Sequence, residues 1–170
     1  MILTGIEEYV RPSSVAQAWA TLGERGRAAR LVAGGIDVAL YAPPETVTLV
    51  DLACLGLSYV RAVDGLAVGA MTTFTEILES SPSKGYLDGI LIDVLQHVGS
   101  PLQRNLGTIG GTLGSAHPWS DVIPLLLVLD AEIRVYDGAE RVLPIGDYLR
   151  GRARGDQAAG RLPPAPGRPI

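Results

Sequence analysis

Residues 104–131 read RNLGTIGGTLGSAHPWSDVIPLLLVLDA and place four glycines (Gly107, Gly110, Gly111 and Gly114) between a polar pair and a long apolar run. Glycines this dense let backbone approach a bulky partner without a Cβ in the way. Consecutive backbone N–H groups in a turn make a concavity for anions such as phosphate. A second segment of the same character, LVAGGIDV, spans Leu31, Val32, Ala33, Gly34, Gly35, Ile36, Asp37 and Val38. Two separated glycine turns fit a ligand with an extended, phosphate-bearing body. Gly34-Gly35 taken alone reads first as a plain tight turn between a strand and a helix.

The missing motifs narrow the choice. No two glycines stand two positions apart, so GxGxxG is absent, and GxxxxGK[ST] does not occur. This excludes the usual dinucleotide fingerprint and the usual phosphate loop. His97 and His117 are the only histidines and show no metal-ligand spacing. A surface or packing role is the expectation for both. Cys54 is the sole cysteine, so neither a disulfide framework nor a cysteine-ligated cluster can be held within the chain. A small buried residue at a strand end is its simplest reading.

A chain of 170 residues, 47% hydrophobic, suits one domain or two small subdomains with a real core. The formal charge of −4 hides an asymmetry, because residues 1–150 carry −7 and residues 151–170 carry +3. An acidic body without a basic aromatic patch argues against nucleic acid. No secretory signal or membrane-length apolar run is evident, and a cytoplasmic location is the expectation.

Local signals outline the elements. Ser14 and Gln17 fit a capping box ahead of a helix whose Val15, Ala18, Trp19 and Leu22 share one face. Ala29 to Ala33 and Thr46 to Leu52 read as strands. Asp64-Gly65 between apolar runs signals a hairpin. Thr72 is expected to cap a short helix containing Phe74 and Ile77, and Tyr86 to Val98 to form a longer one. Ser120 or Asp121 starts an apolar helix, with Pro124 tolerated in its first turn. Ala131 to Tyr136 alternates as a strand, and Asp137-Gly138 turns it towards Arg141 to Ile145. Gly, Ala, Pro and Arg fill 16 of the 20 positions from 151 to 170, a composition that does not build a core. That stretch is read as a disordered tail or as the product of a shifted frame or fragment.

Taken in order, the motifs resemble the FAD-binding medium subunit or domain of molybdenum hydroxylases, the carbon monoxide dehydrogenase, xanthine dehydrogenase and aldehyde oxidoreductase family. Ala33 to Val38 matches the family's AGGTDL, and Arg104-Asn105 with Thr108 to Thr112 matches RN-x-x-TIGGN. Asp121, Pro124, Leu126 and Leu129-Asp130-Ala131 match D-x-x-P-x-L-x-x-LDA. Val68-Gly69-Ala70-Met71-Thr72-Thr73 is similar to IGA-x-TT. The match covers about residues 5 to 148, and the family's substantial C-terminal subdomain has no counterpart here.

The resemblance implies an α+β, two-subdomain FAD-binding fold of the p-cresol methylhydroxylase and vanillyl-alcohol oxidase type. Its expected divisions are residues 1–55, residues 56–150 and the tail 151–170. It implies FAD as cofactor, held by residues 31–38 and by Thr108, Ile109, Gly110, Gly111 and Thr112. Both glycine loops would present N–H groups to the diphosphate, with Thr108 adding a hydroxyl. Asp37 would orient the first loop. Asp121 would meet the flavin's sugar-like chain, cap its helix, or do both. Val98 aligns where relatives place a residue against the isoalloxazine ring, although core packing fits it equally. The implied role is relay of electrons from a molybdenum-cofactor large subunit, through a 2Fe-2S small subunit, to NAD, a quinone or oxygen. Such a relay needs no acid–base residue. A stand-alone flavin oxidoreductase and a truncated, non-catalytic remnant are the alternatives. Ile36 and Thr112 depart from the family's polar residue and asparagine at these places.

Overall fold

The computed structural model describes residues 5–153 together with Ala165–Pro166. It opens with strand β1 (Glu8–Val10) and helix α1 (Val15–Arg25). Strand β2 (Ala29–Val32), helix α2 (Ile36–Tyr41) and strand β3 (Thr48–Asp51) follow. The three strands form one parallel sheet in the order β1-β3-β2. Ser14 caps α1 by accepting the Gln17 N–H, but Gln17 reaches back to the Ser13 N–H rather than to Ser14, so the expected box is shifted by one residue. The apolar stripe of α1 packs Ala18 and Leu22 against Ala29, Val50 and Leu52. Buried Asp51 accepts from Tyr9 Oη, Arg11 Nε and the Ala53 N–H, so its carboxylate is satisfied and ties β1 to β3. Cys54 lies just beyond this strand and is exposed, contrary to the buried position expected. The chain leaves the sheet at Asp51 and surfaces in a short 3-10 turn.

The second body begins with the hairpin β4 (Val60–Val63) and β5 (Gly65–Val68), joined through Asp64. Helix α3 (Phe74–Glu79) is capped by Thr73 in a full capping box with Glu76. Thr72, the expected cap, is instead buried, and its hydroxyl bridges the N–H and C=O of Tyr59. After α4 (Ser81–Gly85) the helix expected over Tyr86 to Val98 is broken. Leu87, Asp88 and Gly89 have positive φ, and only α5 (Ile90–Leu95) is α-helical. Asp88-Gly89 is itself a turn signal, which the apolar periodicity masks.

Two helices occupy the segment read as glycine loop. They are α6 (Pro101–Leu106), boxed by Ser100 and Gln103, and α7 (Ile109–Ser115), capped by Thr108. Helix α8 (Val122–Val128), strands β6 (Glu132–Tyr136) and β7 (Glu140–Pro144), and helix α9 (Ile145–Ala153) complete the body. The larger core gathers Leu66, Val68, Ile77, Leu95, Leu113 and Ile133 from most of these elements. The unstructured tail expected over 151–170 lies mainly outside the described residues. Within them, residues 151–153 finish α9, and β8 (Ala165–Pro166) pairs antiparallel with β6.

Candidate functional site

A cleft of about 900 Å³ runs between the two bodies. That is within the range of ligand-binding clefts. One wall is the β2–α2 turn. The other is formed by α6, α7 and the segment leading into α8.

Strand β2 delivers the chain to Gly34 and Gly35. A Cβ at Gly34 would lie 1.7 Å from the Leu106 carbonyl oxygen, so the two bodies touch backbone to backbone there. Gly35 has φ +78° and caps α2 without a side-chain acceptor. Among the described residues, the N–H groups of Ile36, Asp37 and Val38 have no hydrogen-bond partner. They are orphan donors of a helix start, and the three residues line the cleft.

The second motif is built differently from its expectation. The Ile109 N–H donates to Thr72 O (3.1 Å), the Gly110 N–H to Ala70 O (2.9 Å) and the Thr112 N–H to Thr108 O (3.0 Å). Gly111 N–H donates to Thr108 Oγ1 at 3.0 Å, so the threonine hydroxyl serves as the helix cap. The amides of Ile109 to Thr112 are therefore spent within the chain. A Cβ at Gly110 would lie 2.6 Å from Ala70 O, so this glycine seats α7 on the Val68–Thr73 segment. Gly111 is absent from the positive-φ glycines, and its added Cβ would first meet Thr108 Oγ1 at 2.9 Å.

Of the residues singled out from sequence, all but Val32 and Ile109 line the cleft. Val32 is a strand residue whose carbonyl accepts the Leu52 N–H, and Ile109 is buried in the larger core. Asp121 is exposed at the start of α8, and its carboxylate does not cap that helix. Its carboxylate therefore remains available to the cleft. Val98 both lines the cleft and packs on the larger core. Arg104 fixes this corner by donating to Val98 O (3.1 Å) and Gly99 O (2.8 Å). Arg30, the cleft's other guanidinium, is likewise turned to backbone carbonyls, those of Arg27 and Ala29.

Sequence reasoning missed a polar and aromatic cluster at the rim. His117 Nε2 lies 3.1 Å from Asp37 Oδ1, across the cleft from one body to the other. The His117 ring stacks on Trp119, with centroids 4.5 Å apart and planes 11° from parallel, and meets Tyr41 edge-on at 5.5 Å. The only local hint was the His-Pro-Trp string, which says nothing about a partner 80 residues earlier. Tyr148, on α9, also lines the cleft, and its hydroxyl donates to Leu113 O and holds α7 in place.

No helix among the described residues is long and apolar enough to cross a membrane. Comparison with known proteins places this architecture. The carbon monoxide dehydrogenase medium chain of Hydrogenophaga pseudoflava is 31% identical over 153 residues, covering 85% of this chain and 52% of that protein. The xanthine dehydrogenase FAD-binding subunit of Escherichia coli O157:H7 is 29% identical over 152 residues, with 84% and 51% covered. The chain thus spans about half the length of these relatives. The structure of quinoline 2-oxidoreductase from Pseudomonas putida 86 superimposes with a TM-score of 0.85 at 26% identity, covering 96% of this chain and 59% of that one. The expected α+β fold of the p-cresol methylhydroxylase type is consistent with this match. The model of the FAD binding domain in molybdopterin dehydrogenase matches residues 4–162. On that match the chain belongs to the family of FAD-binding domains of molybdopterin dehydrogenases.

Proposed function

We propose that this chain binds FAD in the inter-body cleft and serves as the electron-relaying flavin part of a molybdenum-containing hydroxylase or dehydrogenase. The observation that carries the reading is the coincidence of the family's two glycine motifs on opposite walls of one large cleft. When bound, the flavin supplies the redox chemistry, and the chain supplies binding and orientation.

The residues present fit the cofactor in a definite way. The unpartnered amides of Ile36, Asp37 and Val38 offer backbone donors for the diphosphate. The first turn carries most of that contact, because the second turn's amides from Ile109 to Thr112 are already donated. The uncapped Asp121 carboxylate accepts from a hydroxyl-rich chain. Val98, set by Arg104, walls off water on the apolar side. Members of this family are subunits of larger assemblies, as the names of its relatives say: a medium chain, a FAD-binding subunit. The partners proposed are a molybdenum-cofactor large subunit and a 2Fe-2S small subunit. NAD, a quinone or oxygen is the proposed acceptor.

Titration of the purified chain with FAD, followed by quenching of flavin fluorescence, should saturate at one equivalent. Asp121→Ala should weaken binding about tenfold or more, the size of one lost charge-assisted hydrogen bond, and Asp121→Asn should weaken it less. A folded chain that leaves FAD fluorescence unquenched sinks the reading and favours a non-catalytic remnant. Binding accompanied by substrate oxidation without partner subunits would favour the stand-alone oxidoreductase instead.

A further inference from the structure

We propose that Trp119 is a stacking platform for the adenine ring of the dinucleotide, an inference that rests on the FAD reading above. Trp119 lines the cleft yet is 69% exposed, unusual for so large an apolar side chain. One face of its indole is already covered by the parallel His117 ring at 4.5 Å. The exposure therefore belongs to the opposite face and the edges. His117 is itself held by the Asp37 carboxylate at 3.1 Å and by the edge contact with Tyr41. An indole backed by an anchored ring is pre-organised, so little freedom is lost when a second ring stacks on it.

Position supports the same occupant. Asp37 belongs to the first turn of α2, whose free amides are the diphosphate donors. Trp119 stands one stacked ring beyond the side chain that grips Asp37. A planar group joined to the diphosphate by a short sugar is what reaches such a site. The family resemblance puts the isoalloxazine end of the ligand elsewhere, beside Val98, which lines another part of the cleft. Base–aromatic stacking needs no hydrogen-bond code, which suits a rim that presents flat π surfaces around the indole. Trp119 here is a binding residue for the adenosine half, with His117 positioning it through the stack.

The test uses the full chain with FAD, FMN and ADP as probes. Trp119→Ala should weaken FAD by about tenfold to a hundredfold while leaving FMN, which has no adenine, unchanged. Trp119→Phe should recover most of the FAD affinity. ADP should quench the tryptophan fluorescence of the native chain and lose that effect in Trp119→Phe, where Trp19 alone still reports. Circular dichroism checks that each variant keeps its fold. Equal losses of FAD and FMN on Trp119→Ala, or unchanged affinity for both, would overturn the platform while leaving FAD binding intact. A native chain that binds neither FAD nor ADP would remove the parent reading and this one with it.

Discussion

At the scale of single residues, the two glycines of the first turn do different jobs and should fail differently. Gly34 is required by contact, because an added Cβ would sit 1.7 Å from a main-chain carbonyl. Gly35 is required by conformation, since its φ is +78° and nothing stands within 4 Å of an added Cβ. Gly35→Ala should cost about 1–2 kcal/mol, the left-handed penalty for an L residue. Gly34→Ala should cost about 1–3 kcal/mol by overpacking and should also spread the cleft walls. Urea melts give the stabilities, and FAD titration separates the two, because only Gly34→Ala should lower affinity by more than its stability loss explains. Equal effects on binding would show that Leu106 and the turn move apart freely. Gly111 belongs to a third class. Its neighbour is the cap of its own helix, so Gly111→Val acts first by displacing Thr108 and only then on any ligand.

At the scale of elements, α3 offers a pH test. Burial works to raise the Glu76 carboxyl. Hydrogen bonds from the Thr73 amide and hydroxyl and the Ser58 hydroxyl outweigh it, and the net direction is downward from the ordinary 4.5. A carboxylate with a lower pKa in the folded state stabilises the fold above 4.5 and loses that contribution as pH falls through the folded value. Glu76→Gln should therefore be less stable than the native chain at neutral pH, with the gap closing below about pH 4.5. A gap of constant size across that window in urea melts would refute the carboxylate's role. The same elements show what sequence can and cannot reveal. The strands β2 and β3, the hairpin and α8 were legible because their apolar patterns are local and end at turn signals. Helix α7 was not, because glycine density looks like a loop when the packing that seats it, Gly110 on Ala70, comes from elsewhere. Helix α6 was overlooked although Ser100 and Gln103 form its capping box. The break at Leu87 to Gly89 was hidden by an apolar period running through it. The cleft residues were found by motif, whereas His117 and Trp119 were not, since their meaning depends on Asp37 arriving from the other body.

At the scale of the whole molecule, the two bodies have unequal cores. The N-terminal sheet and α1 rest on five buried residues, Ala18, Leu22, Ala29, Val50 and Leu52, while the second body gathers far more. Leu22→Ala should cost about 2–5 kcal/mol, as for other buried leucines. Its effect should be local: hydrogen exchange should quicken in β1 to β3 before it does in β6 and α8. Uniform acceleration across both bodies would mean that they unfold as one unit. Because the proposed diphosphate donors sit on the weaker body, saturating FAD should slow exchange there most, by mass action on the folded form.

The backbone contact between Gly34 and Leu106 has a consequence for heredity. Most packing conflicts can be relieved by trimming the opposing side chain, which is how compensating pairs of substitutions arise. Here the obstacle is a carbonyl oxygen that every amino acid carries. No change of residue type at position 106 removes it. A lineage that loses this glycine can recover only by reversion or by gains in stability elsewhere, and the position is cut off from the pairwise drift open to its neighbours.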